Sequence, residues 1–129
     1  MQLETSKITV PSSVATLSEK LTVVENYKTL MPENIAKFEV LTPELFAFAL
    51  SGMPEIKLKL KENSANKVVL GAASDKMPFE LTALLNETSE NSTEVQMTFQ
   101  GDFNPMMAMM IKGPISKLMD TLVGNMHKL

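Results

Sequence analysis

The chain has 129 residues, a net charge of −3 and no cysteine, and all twelve of its basic residues are lysines. This length suits a single domain spanning residues 1–129 that buries its own core. Without cysteine there are no disulfides, thiolate metal ligands or cysteine nucleophiles, and without arginine the bidentate grip on phosphates and bases is missing, which argues against a nucleic-acid partner.

The first ten residues, "MQLETSKITV", are polar and rich in β-formers. They lack the basic and then apolar layout of a signal peptide, and no apolar run approaches the roughly 18 residues of a membrane span. We therefore expect a cytoplasmic protein without a membrane span. The segment Leu3–Val10 predicts a first strand, which stops at Pro11.

Two short helices are predicted after this strand. In "PSSVATLSEKL", Ser12 or Ser13 can cap a helix whose apolar residues recur every three or four positions. A second short helix is predicted in "VENYKTLMP" and ends before Pro32, because proline disfavours helical geometry in the residue that precedes it.

From Ile35 onward the apolar residues alternate with polar ones, which predicts strands. The clearest example is "EIKLKLKE", where one face is apolar and the other carries lysines, as in an antiparallel sheet. Short, turn-like spacers favour hairpin connections and hence an antiparallel meander. The six predicted strands are Ala36–Leu41, Leu45–Ser51, Glu55–Glu62, Lys67–Ala73, Phe79–Glu87 and Thr93–Gln100.

A long helix is predicted from Pro105 to the end of the chain, capped by Asn104. Gly113-Pro114 should kink this helix or break it in two. Its apolar positions, spaced by three or four, form a continuous seam, which needs a partner surface. The seam consists of Met107, Ile111, Ile115, Leu118, Leu122, Met126 and Leu129.

Together these elements predict an α+β fold. A curved antiparallel sheet of seven strands wraps around the long C-terminal helix, and the two short helices after the first strand close one end.

This order of elements resembles the START-like or SRPBCC superfamily of helix-grip proteins, whose bacterial members are often labelled polyketide cyclase or dehydrase-like. The resemblance lies in "VPSSVATLSEKLTVVENYKTLMPE", "EIKLKLKE" and "FNPMMAMMIKGPISKLMDTLVGNM", and it covers nearly the whole chain. It implies a cavity between the sheet and the long helix that binds hydrophobic small molecules or lipids in many relatives. The family offers no universal catalytic motif to assign to residues here.

The residues themselves give little support for catalysis or metal binding. His127 is the only histidine and is expected on the surface, and Glu80 has the phase of a solvent-facing residue. The methionines of "MMAMM" could bind Cu(I), form a pocket wall or simply fill the core, and adaptable apolar packing is the commonest use of methionine. No catalytic residue, metal site or cofactor is predicted.

We therefore expect a small hydrophobic or amphipathic ligand in a cavity between the sheet and the last helix. Two alternatives stay open: a cyclase or dehydratase-like enzyme that uses the same cavity, and a structural or interaction protein whose cavity is filled by its own side chains. A homodimer is a further possibility, because "LFAFAL" is apolar on both faces. The predicted cavity residues are Phe48, Leu58, Leu81, Met97, Phe99, Met107, Met110, Ile111, Leu118 and Leu122.

Overall fold

A computed structural model describes residues 1–33, 35–50, 55–64, 66–73 and 79–129. It shows one antiparallel sheet of eight strands, with a long C-terminal helix against its inner face and two short helices after the second strand. This is the predicted α+β helix-grip architecture. The elements are β1 Gln2–Glu4, β2 Ile8–Val10, α1 Val14–Leu21, α2 Tyr27–Leu30, β3 Ile35–Thr42, β4 Leu45–Leu50, β5 Ile56–Ser64, β6 Lys67–Ala72, β7 Phe79–Ser89, β8 Ser92–Gly101 and α3 Pro105–Asn125.

The predicted first strand is divided in two, which accounts for the eighth strand. Both pieces pair with β8, but their registers differ by one residue. Thr5 lies in the break, where its hydroxyl accepts a hydrogen bond from the Met97 amide at 3.1 Å and its own amide donates to the Met97 carbonyl at 2.9 Å. A side-chain oxygen thus takes the place of a backbone carbonyl in the ladder, which is why alternation alone did not reveal the break.

Strands β3 to β8 form the predicted meander. The order across the whole sheet is β1-β8-β7-β6-β5-β4-β3. Alternation places the apolar residues of each strand on the inner face. In β5, for example, Leu58 is buried whereas its neighbours Lys57 and Lys59 are exposed. The predicted strand end Ser51 lies outside the described residues.

The outer face of β4, which raised the possibility of a dimer, is partly covered within the chain, with Leu45 and Ala49 half-buried. Ala47 on this face is fully buried and lies between Glu39 and Lys57 in the neighbouring strands. Long side chains of this kind cover apolar surface with their methylene stems. The same happens on β6, where a Cβ on Gly71 would lie only 2.6 Å from Cε of Lys61.

The short helices close one end of the fold. The Ser13 hydroxyl accepts a hydrogen bond from the Thr16 amide and caps α1, as predicted. The Tyr27 ring of α2 stacks on Phe46 at 5.2 Å between ring centroids, and its hydroxyl donates to the Leu21 carbonyl at 2.8 Å. Because the ring is buried, the pKa of the Tyr27 hydroxyl is raised far above its ordinary value.

Helix α3 begins at the predicted cap, since the Asn104 side chain accepts a hydrogen bond from the Met107 amide at 2.8 Å. It runs continuously through Gly113-Pro114 to Asn125, so the predicted break in two does not occur. Proline has no N–H, and the Met110 carbonyl therefore lacks its usual partner four residues later. The predicted seam is buried from Ile115 to Met126, whereas Leu129 is half-buried and the first two turns are much more exposed.

Candidate functional site

A small apolar cavity lies between the sheet and α3, near the end of the sheet where β5 and β7 begin. Its volume is about 10 Å³, which is room for about one water molecule. Every residue in its described wall has an apolar side chain. These residues are Phe48, Ile56, Leu58, Phe79, Leu81, Phe99, Ile115, Leu118 and Met119.

Two periodicities bring these side chains together. On the sheet, residues two apart point to the same face, which places Ile56 beside Leu58 and Phe79 beside Leu81. On α3, Ile115, Leu118 and Met119 are three and four positions apart and hence on one side of the helix. The inner face of four strands therefore meets one stripe of α3.

Aromatic rings form one wall of the cavity. Phe79 and Phe99 stack with ring centroids 5.2 Å apart, and Phe103 stacks on Phe99 at 6.1 Å. Phe79 and Phe103 are only half-buried, whereas Phe99 is 2% exposed. The ring stack thus extends from the buried wall of the cavity towards the surface.

The structure brings half of the predicted cavity residues together. They come from both the sheet and the helix, as the helix-grip architecture requires. The five that line the cavity are Phe48, Leu58, Leu81, Phe99 and Leu118.

The other five predicted residues lie elsewhere. Met97 and Leu122 are buried in the core but do not line the cavity. Met107 and Ile111 are half-buried on the first turns of α3. Met110 is 69% exposed, and its position on the helix, five residues before Ile115, directs it away from the sheet.

Four lining residues are missing from the predicted set. Ile56 shares the phase of Leu58, Phe79 shares the phase of Leu81, and Ile115 belongs to the predicted seam, so periodicity could have identified all three. Met119 lies next to Leu118 on the helix. Only the rotation of α3 against the sheet determines that Met119 faces the cavity, and sequence does not give that rotation.

The described wall contains no acid, base or hydroxyl group that could act on a ligand. His127 and Glu80 are exposed, as predicted. Among the described residues no cluster of three or more histidine or acidic side chains gathers in a way that would hold a metal ion. Chemically, the site offers apolar contact and aromatic surface.

No family model matches the sequence. No curated protein matches it either. Solved structures do match. A START superfamily protein from Mycobacterium smegmatis is 15% identical, with 98% of this chain and 97% of that chain covered and a TM-score of 0.69.

Two enzymes are also similar in structure. Norcoclaurine synthase from Thalictrum flavum is 11% identical, with 99% of this chain and 84% of that chain covered and a TM-score of 0.76. The Zhui aromatase/cyclase from Streptomyces sp. R1128 is 11% identical, with 99% of this chain and 92% of that chain covered and a TM-score of 0.74. At such low identity these matches establish the fold, which is the START-like helix-grip fold that the sequence resembles. None of the helices in the described part of the chain is long and apolar enough to cross a membrane.

Proposed function

We propose that this START-like domain binds a small hydrophobic or amphipathic ligand between the sheet and α3, in an enlarged form of the apolar cavity. The observation that carries the proposal is the composition of the wall, which is apolar at all nine described positions and includes three phenylalanine rings. Small-molecule sites are typically lined by hydrophobic and aromatic side chains. The apolar part of the ligand packs against Phe48, Phe99 and Leu118.

The cavity has to open before it takes a ligand. Its volume of about 10 Å³ is far below the roughly 300 Å³ at the lower end of ordinary ligand sites. The first two turns of α3 come just before Ile115, the first helix residue of the wall, and they give way most easily because Met107 and Ile111 are only half-buried. Pro114 marks the point of bending, since the helix lacks one hydrogen bond there.

The apolar area that the ligand buries determines the size of the favourable binding free energy. Burial of apolar area contributes about 25 cal/mol per Å², from which the cost of opening the helix and ordering the ligand is subtracted. Met119 assists the opening, because a flexible thioether side chain adapts to a changed space at low cost.

The small volume favours a second candidate function. In this alternative the cavity is filled by its own side chains, and the domain serves as a structural or interaction module. Native interiors are densely packed and contain few voids larger than a water molecule. A cavity of about 10 Å³ is no larger than the small voids of such an interior. The cyclase or dehydratase alternative requires an inward polar group, and the described wall supplies none.

Native mass spectrometry of the freshly purified protein distinguishes the two candidates. Ligand binding predicts a co-purified small molecule, or, if the protein emerges bare, a saturable fluorescence response to an apolar probe such as anilinonaphthalene sulfonate. A bare mass together with no response to the probe contradicts ligand binding and supports the self-filled domain.

A further inference from the structure

The first two turns of α3 form an apolar surface on the side that faces away from the sheet. Met106, Met109 and Met110 are 75%, 83% and 69% exposed, respectively. The sequence from Pro105 to Ile111, "PMMAMMI", contains no polar side chain. A helical segment that is apolar all round is normally covered on all sides, and here the sheet covers only one.

The exposed residues form a single stripe along the helix. Met106, Met110, Gly113 and Lys117 follow one another at spacings of four, three and four, and Met109 lies beside them. Gly113 is exposed, and a Cβ added there would meet nothing within 4 Å. The stripe therefore has three projecting thioethers, one open position and one positive charge.

This stripe is complementary to itself. If two copies cross antiparallel with Met109 and Met110 at the centre, Met106 of each copy lies over Gly113 of the other, because the two positions are equally far from the centre. The missing side chain at Gly113 lets a long side chain enter and the two backbones approach closely.

The charges obey the same symmetry. Asp102, just before the helix, and Lys117, on the stripe, lie at opposite ends of the contact, so an antiparallel crossing brings each acid to the same end as the lysine of the other copy. Both residues are exposed, and neither forms an ion pair with another described residue. A two-fold contact of this kind is isologous and closed, and so forms a dimer without further growth.

We propose that the α3 stripe, defined as Met106, Met109, Met110, Gly113 and Lys117, docks against the same stripe of a second copy of this chain. The contact is formed by one helix face, which is smaller than the roughly 1,200 Å² of a stable interface. The dimer is therefore weak and depends on concentration. The contact does not depend on a ligand in the cavity.

Sedimentation velocity over a range of concentrations tests this proposal. The wild-type chain is expected to shift reversibly from monomer to dimer as its concentration rises. Lys117→Glu opposes Asp102 of the partner with a like charge and weakens the association roughly tenfold or more. The charge-reversed double variant, Asp102→Lys with Lys117→Glu, restores the attraction and with it most of the dimer.

Two controls make the result specific. Lys128→Glu changes the net charge by the same amount at an exposed site outside the stripe and leaves the association unchanged, whereas Met109→Lys weakens it. A monomer at every concentration overturns the proposal, as does equal weakening by Lys117→Glu and Lys128→Glu or a failure of the double variant to recover. Flotation of a monomeric chain with neutral phosphatidylcholine vesicles, lost in Met109→Lys, assigns the stripe to a membrane surface instead and also overturns the proposal.

Discussion

Phe79 and Phe99 stack with their ring centroids 5.2 Å apart, and together they form the aromatic wall of the cavity. Phe99 is 2% exposed, whereas Phe79 is half-buried. The pair thus joins the closed interior to the outer edge of the cavity. Removal of the Phe79 ring is therefore expected to enlarge the cavity with little loss of core stability.

Phe79→Ala tests this relationship. Truncation of a fully buried phenylalanine to alanine lowers the free energy of unfolding by about 3–5 kcal/mol. This loss is expected for Phe46→Ala, because the Phe46 ring is fully buried and does not line the cavity. Phe79→Ala should lower the free energy of unfolding by less than Phe46→Ala does, and it should increase the response to an apolar fluorescent probe. Urea unfolding and probe titration measure both effects, and equal losses of stability without any gain in response would contradict the assignment.

Leu118→Ala and Leu17→Ala form a matched pair of core truncations. Both leucines are buried, at 3% and 0% exposure, but only Leu118 lines the cavity. Each variant should lose about 2–5 kcal/mol of unfolding free energy. Only Leu118→Ala should take up more of the probe, because the space it creates joins the existing cavity. If Leu17→Ala takes up as much, the response reports general loosening of the core.

Pro114→Ala tests whether the helix bends at this position when the cavity opens. Alanine restores the N–H that the Met110 carbonyl lacks, and proline is about 3 kcal/mol less favourable than alanine inside a helix. The variant should be more stable and should take up the probe more slowly in stopped-flow mixing. Gly124→Ala is the control, because it favours the same helix by about 1 kcal/mol at an exposed site with no neighbour within 4 Å. Equal slowing in both variants would contradict bending at Pro114.

Thr5→Val tests the break between β1 and β2. The substitution keeps the shape of the side chain but removes the oxygen that accepts from the Met97 amide. A buried amide left without a partner costs about 1–3 kcal/mol, so urea unfolding should show a loss of this size. Thr9→Val, at an exposed position of β2, should change stability far less. A Thr5→Val protein as stable as the wild type would show that the hydroxyl does not hold the ladder.

The single tyrosine permits a direct test of pH dependence. The pKa of the Tyr27 hydroxyl is raised by burial, so the neutral phenol stabilises the fold below the unfolded pKa of about 10. That contribution is lost as the pH rises above about 10, because unfolding releases the proton. Since Tyr27 is the only tyrosine and tryptophan is absent, phenolate absorbance should increase only together with the loss of circular dichroism. Tyr27→Phe should show a smaller fall in stability over the same range, and phenolate absorbance in the folded protein would contradict burial.

Periodicity in the sequence predicts most of the fold. The alternation in "EIKLKLKE", the cap at Asn104 and the stop at Pro32 each act over a few residues, and the structure confirms all three. The break at Thr5 was not predictable from alternation, because it depends on one hydroxyl in contact with a distant strand.

The cavity was only partly predictable, for a physical reason that concerns α3. "PMMAMMI" contains no polar residue to show which side faces water, so periodicity could not determine whether Met110 points inward or outward. The structure directs Met110 outward and Met119 inward. That choice depends on how the buried turns from Ile115 onward pack against the sheet.

The most direct test of ligand binding uses the methionines as reporters in a ¹³C-methyl NMR titration with a small apolar probe. Met119 lines the cavity, Met126 is buried elsewhere in the core, and Met109 lies on the outer side of α3. Binding in the cavity predicts a saturable shift of the Met119 methyl resonance, with the Met126 and Met109 resonances almost unchanged. A shift confined to Met109, or no shift at Met119 at saturating probe, would contradict the claim that the ligand binds between the sheet and α3.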